Sequence, residues 1–153
     1  MEQQVKLVPY GVADFAMVIE QNLYYVDKTM FIPELEKQPR NLFFIRPRRF
    51  GKSIFLSMLY SYYDCTQSHK YQRLFGNLWI GQHPTPLQGK YQVLFLDFSQ
   101  ITGNIDKLET KFNSYLSINL DAFVRQYSEY YQAEMEEILA QEDFEEKMEL
   151  IFK

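Results

Sequence analysis

Cysteine is almost missing. Cys65 is the only one in 153 residues, so no disulfide can form within the chain. Histidine is scarce too: His69 and His83 lie far apart in sequence with no cysteine cluster beside them, which argues against a structural zinc site. No apolar run approaches the roughly 20 residues that span a bilayer. The opening stretch MEQQVKLVPYG has no apolar signal core. These absences lead us to expect a cytoplasmic protein with no membrane partner. Core-forming material is plentiful, with 46% hydrophobic and 17% aromatic residues, and charge is ordinary at 24%. A folded domain is expected.

The net charge of −4 conceals an asymmetry. Glu129 to Lys153 carries nine acids and two bases, and the remainder carries a basic excess. That excess gathers at Arg40, Arg46, Arg48, Arg49 and Lys52, with no acid between them. Such a cluster suits an anionic ligand; the plainer alternative is a solvated turn. The acidic end reads as a solvated helix face, with docking to a basic partner as its alternative.

Along the chain, residues 1–38 read as a helical and extended preamble. Gly11 after Pro9-Tyr10 marks a turn. Phe15, Val18 and Ile19 have helical spacing. Asp27 or Thr29 is placed to cap a helix carrying Phe31, Ile32 and Leu35, with Pro33 tolerated in its first turn. Tyr24 and Tyr25 read as packing residues. NLFFI, Asn41 to Ile45, is a continuous apolar run of the kind that forms a strand buried on both faces. Gly51 to Asp64 reads as a helix with almost no polar face. Residues 65–90 are turn-rich. YQVLFLDFS, Tyr91 to Ser99, reads as a second buried strand. From Asn104 onward the pattern is helical, with Glu142-Asp143 interrupting it. This order predicts a parallel sheet with covering helices. Two strands cannot make a stable open sheet, so either weaker strands hide in the preamble or the chain is an incomplete domain.

The most informative stretch is LFFIRPRRFGKSIFLSML, Leu42 to Leu59. A phosphate-binding loop needs curled backbone N–H groups, a lysine for the phosphates and a hydroxyl for Mg²⁺ at the start of a helix. Gly51, Lys52 and Ser53 stand in the last three places of G-x-x-x-x-G-K-[ST]. Arg46 replaces the first glycine and Pro47 lacks an N–H. Arg48 and Arg49 can compensate through charge-assisted contacts. Two readings stand at this point: a pocket for nucleotide phosphates, or a structural turn of similar sequence.

VPYGVADFAMVIEQNLYYVDKT, FFIRPRRFGKSIFLSML and YQVLFLDFS together resemble the AAA-ATPase-like domain of bacterial proteins, over roughly the first hundred residues. The most specific piece is RPRRFGKS preceded by YVDKT, and the Arg46 variation belongs to that family's own pattern. The resemblance implies an α/β, P-loop NTPase-like sheet over residues 39–153 and ATP with Mg²⁺ as ligands. It places a nucleotide against Arg46, Pro47, Arg48, Arg49, Phe50, Gly51, Lys52, Ser53 and Ile54. Lys52 would contact the phosphates and Ser53 the metal. Similar proteins often carry a nuclease-like PD-(D/E)xK domain further along, and nothing of that kind occurs in this sequence.

Hydrolysis normally requires a strand ending in two acids. VLFLDF offers only Asp97, followed by Phe98, so Asp97 reads as a strand-end cap, or as an indirect magnesium or water-positioning group. In similar proteins the true acid-tipped strand comes later, beyond Lys153. We therefore expect an ATP-binding module whose hydrolysis depends on residues outside this chain. The alternatives are a structural or assembly domain with a vestigial loop, and a nucleic-acid-binding module using the arginine cluster. Overall acidity weighs against nucleic acid.

Overall fold

The computed structural model describes residues 5–39, 41–45, 47 and 49–153. Its helices are α1 (Phe15–Glu20), α2 (Ile32–Glu36), α3 (Lys52–Tyr63), α4 (Tyr71–Phe75), α5 (Trp79–Gln82), α6 (Leu108–Gln126), α7 (Met135–Ala140) and α8 (Phe144–Ile151), with short 3-10 turns between them. They divide into two compact units, Met1–Val93 and Leu94–Lys153.

In the first unit, Asp14 starts α1 by accepting the Met17 N–H at 2.7 Å. That helix buries Phe15 and Val18. Phe15 stacks on Phe75 with ring centres 5.0 Å apart, and its N–H donates to Ser57 Oγ at 3.0 Å, which ties α1 to α3. Phe55, Met58 and Tyr62 of α3 complete a core with Ile32, Leu74, Phe75 and Ile80. Each such side chain contributes roughly 1.5–3 kcal/mol by leaving water. Gly81 in α5 is required by close approach, since a Cβ there would lie 2.0 Å from the Phe75 carbonyl oxygen.

The expected parallel sheet does not form: among the described residues there is no strand and no sheet. The apolar run 41–45 carries no ladder partner, and Phe43 and Ile45 are 93% and 88% exposed. Phe44 stacks instead on Phe55 of α3, centres 5.1 Å apart and nearly parallel. The run 91–97 contributes one isolated parallel bridge, Asp64 to Tyr91, with Cys65 N–H donating to the Tyr91 carbonyl at 2.9 Å. The physical reason is geometric. A strand that is apolar on both faces needs paired neighbours and a covering layer on each face, and among the described residues no other strand forms to supply them. A short apolar run does not by itself distinguish strand from extended loop.

A polar network holds α2, α3 and the loop after α5. Glu36 Oε1 accepts from Tyr63 O–H at 3.0 Å and from Thr85 Oγ1 at 2.7 Å. Thr85 N–H donates to the Tyr62 hydroxyl at 2.8 Å. Burial, then the Glu36 charge, pushes the Tyr63 phenol well above its ordinary range. Tyr25, packed edge-on against Phe15, is raised by burial and by Asp27. Both folded values exceed the unfolded value near 10. Their stabilising contribution is therefore complete below about pH 10 and is lost as pH rises above it. Urea unfolding followed by circular dichroism should show stability declining above about pH 10, and declining less steeply in Tyr63→Phe. An identical alkaline decline in wild type and variant would refute the assignment.

In the second unit, α6 buries Leu116, Leu120, Phe123 and Val124, with Tyr127 packed edge-on against Phe123 just beyond its end. Asp143 starts α8 by accepting the N–H groups of Glu145 and Glu146. The expected interruption at Glu142-Asp143 is thus the break between α7 and α8. No helix among the described residues is long and apolar enough to cross a membrane.

Candidate functional site

The turn before α3 is built from two left-handed residues. Arg49 has φ +66° and Gly51 has φ +76°, ψ 22°. Glycine adopts this conformation without steric cost, while arginine does so at a penalty. Curled backbone of this kind directs amide N–H groups toward one side and suits anions. Gly51 supplies no side-chain cap, and the first intrahelical bond runs from Phe55 N–H to the Gly51 carbonyl at 3.0 Å. The amides of Ser53 and Ile54 precede that bond, so they have no acceptor within the helix. The positive end of the α3 dipole lies at the same place.

Lys52 is half-buried, and its Nζ donates to the Pro47 carbonyl at 3.2 Å, closing the turn across its base. Ser53 is exposed on the first helical turn. Arg49, Gly51, Lys52, Ser53 and Ile54 line a cleft of about 630 Å³. Its other wall is the segment Val8 to Ala13. The Tyr24 N–H donating to the Leu7 carbonyl at 2.8 Å anchors that wall, and Gly11, at φ +73°, turns it.

The structure thus brings Pro47, Arg49, Phe50, Gly51, Lys52, Ser53 and Ile54 into one turn and helix start. Arg40, Arg46 and Arg48 lie outside the described residues. Asp97 belongs to the second unit. Its Oδ1 accepts the Ser99 N–H at 2.9 Å and caps the 3-10 turn Phe98–Gln100. The Ser99 amide, with the Ser99 hydroxyl, holds its carboxyl below the usual range.

Sequence reading missed the wall formed by Val8 to Ala13; the Pro9-Tyr10-Gly11 turn was its one visible signal. In YVDKT the sequence offers Asp27 or Thr29 as a helix cap, and Asp27-Lys28 as a surface pair or as part of the nucleotide pocket. Asp27 Oδ1 accepts from Thr29 N–H at 2.8 Å and Thr29 Oγ1 at 2.7 Å, while its Oδ2 accepts the Trp79 N–H at 2.7 Å. Thr29 Oγ1 in turn accepts the Ile80 N–H at 3.1 Å. Asp27 and Thr29 therefore tie the 3-10 turn Thr29–Phe31 to the start of α5, whereas α2, the helix they were expected to cap, follows Phe31 with no side-chain cap.

The donor set fits an anion directly and magnesium through it. No group of three or more histidine, cysteine or acidic side chains is gathered for a metal among the described residues. The Ser53 hydroxyl is one hard oxygen ligand, and Mg²⁺ commonly takes its others from phosphate and water.

No solved structure matches the chain. A protein of Azotobacter chroococcum mcd 1, named "Uncharacterized protein in vnfD 5'region", is 49% identical over 55 residues, a stretch covering 35% of this chain and 11% of that protein. The chain thus spans a small part of this relative's length. The family described as Predicted AAA-ATPase matches residues 9–152. That span takes in the cleft lining from Pro9 onward and most of both units, and the chain belongs to this AAA-ATPase-like family.

Proposed function

We propose that the chain binds ATP with Mg²⁺ through Pro47, Arg49, Phe50 and Gly51 and the start of α3. One observation carries this reading: two left-handed residues lead into a helix whose first turn bears Lys52 and Ser53, and all of this faces a cleft of about 630 Å³. Amides and dipole favour the phosphates, Lys52 neutralises them, and Ser53 offers its hydroxyl to the metal. Arg49 adds a further cation. The left-handed backbone at Arg49 supports the reading further, since strain of about 1–3 kcal/mol is characteristically stored where a loop is shaped for a ligand.

The test is calorimetric titration of the chain with ATP and MgCl₂. Wild type should bind, and Lys52→Ala should weaken binding at least about tenfold by removing one charge-assisted contact. Equal affinity in the two proteins, both folded, would overturn the reading. DNA retention that falls with salt and disappears on changing Arg49 would favour the nucleic-acid alternative instead.

A further inference from the structure

Gly51 also lines a second cavity, of about 400 Å³, whose walls include Lys28, Phe31, Phe44, Phe50 and Phe55. Phe44 and Phe55 stack within 15° of parallel. Phe31 and Phe50 are 53% and 63% exposed, so their ring faces are open to a ligand in the cavity. Gln38 stands on the same wall set, and its amide can both donate to and accept from the edge of a heterocycle.

The position of Lys28 links this cavity to the phosphate turn. A Cβ on Gly51 would meet one atom within 4 Å, Lys28 Nζ at 3.7 Å. The ammonium therefore stands over the residue that both cavities share. Its placement is not casual. The residues on either side, Asp27 and Thr29, are fixed by their bonds to Trp79 and Ile80. Among the described residues no carboxylate forms an ion pair with Lys28. A cation held at the mouth of an aromatic-walled cavity, beside a turn shaped for phosphate, is complementary to a flat ring carrying an anionic tail.

We propose that the cavity behind Gly51 receives the nucleoside end of the nucleotide, its base lying against Phe31 and Phe50, and that Lys28 contacts the phosphate tail where it passes Gly51. The absence of a side chain at Gly51 leaves that passage open. This inference rests on the phosphate reading above, and the test separates the two.

The full chain is titrated with Mg·ATP and, separately, with inorganic tripolyphosphate, which has the tail and no base. Phe31→Ala and Phe50→Ala, on different elements, should each weaken ATP about tenfold and leave tripolyphosphate within about twofold, the range expected for loss of one base–aromatic contact. Lys28→Ala should weaken both ligands about tenfold. The inference is overturned if both phenylalanine variants bind ATP like wild type, or if they lose tripolyphosphate to the same extent. Loss of ATP in Lys52→Ala alone would leave the phosphate reading standing without the cavity. Loss in the phenylalanine variants alone, with Lys52→Ala binding like wild type, would overturn the phosphate reading and with it the path of the tail past Gly51. A wild-type chain that binds neither ligand would end both.

Discussion

Asp27→Ala is expected to destabilise the first unit by about 3 kcal/mol. The carboxylate accepts three bonds, from Thr29 N–H, Thr29 Oγ1 and Trp79 N–H. A hydrogen bond to a charged group is worth roughly 1.5–3 kcal/mol, and such values do not simply add. The Trp79 contact is exposed, so water can replace it in the variant; the two Thr29 contacts are partly buried and lose more. Thr29 is itself fully buried. Once its hydroxyl is no longer oriented by Asp27, the bond it accepts from Ile80 N–H weakens too. For a chain of this length, 3 kcal/mol corresponds to a fall in Tm of about 6–12 °C. Asp27→Asn keeps an acceptor oxygen for Thr29 but sets an NH₂ group against the Trp79 N–H, so its loss should be about half as large. Thermal unfolding by circular dichroism measures both. A Tm within about 2 °C of wild type in Asp27→Ala would show that the carboxylate is dispensable. The variant also tests the link between stability and site. Lys28 reaches Gly51 from a backbone that Asp27 fixes, so ATP affinity should fall at temperatures where the variant is still folded.

The sequence displayed α1, α3 and α6 more clearly than its extended segments, while α4 and α5 lie in residues 65–90, which read only as turn-rich. Phe15, Val18 and Ile19 carry a helical period, and α1 forms over them. The caps Asp14 and Asp143 emerge only from the structure. NLFFI and VLFLD carry neither cap nor period. Their apolar runs state only that the side chains prefer to leave water, and the expected sheet was an inference about partners that the described residues do not supply. Turn chemistry was partly legible: Gly51 was expected to shape the loop and does adopt a left-handed conformation. The left-handed Arg49 was not readable, because nothing in an arginine's chemistry announces positive φ. Lys28 beside Gly51 and the wall at Val8 to Ala13 are contacts between segments far apart in sequence. They depend on how α1, α2 and α3 pack, which local pattern does not specify.

The largest loss of stability in the second unit should follow from Asp121→Ala, at about 3 kcal/mol or more. Lys147 on α8 is 1% exposed, and its ammonium donates to Asp121 and to Ser117 Oγ on α6. The helical pattern of the acidic end makes Met148 the natural inward residue, yet Met148 is exposed and the lysine points in. A buried ion pair is weak evidence of net stabilisation, because desolvation offsets much of the attraction. Removing one partner is a different matter, since the other charge stays buried without compensation. Asp121 is itself partly exposed, so water can reach the abandoned ammonium, which keeps the cost near the lower end of the usual 3–5 kcal/mol. Lys147→Met retains the apolar stem and similar volume without the charge. It should fall within about 1 kcal/mol of wild type or be more stable. The double variant Asp121→Ala/Lys147→Met should recover most of what Asp121→Ala loses, and the difference in urea unfolding free energies measures the coupling directly. If Asp121→Ala and Lys147→Met are equally mild, the pair is solvated in solution and α8 is held to α6 by its apolar residues alone.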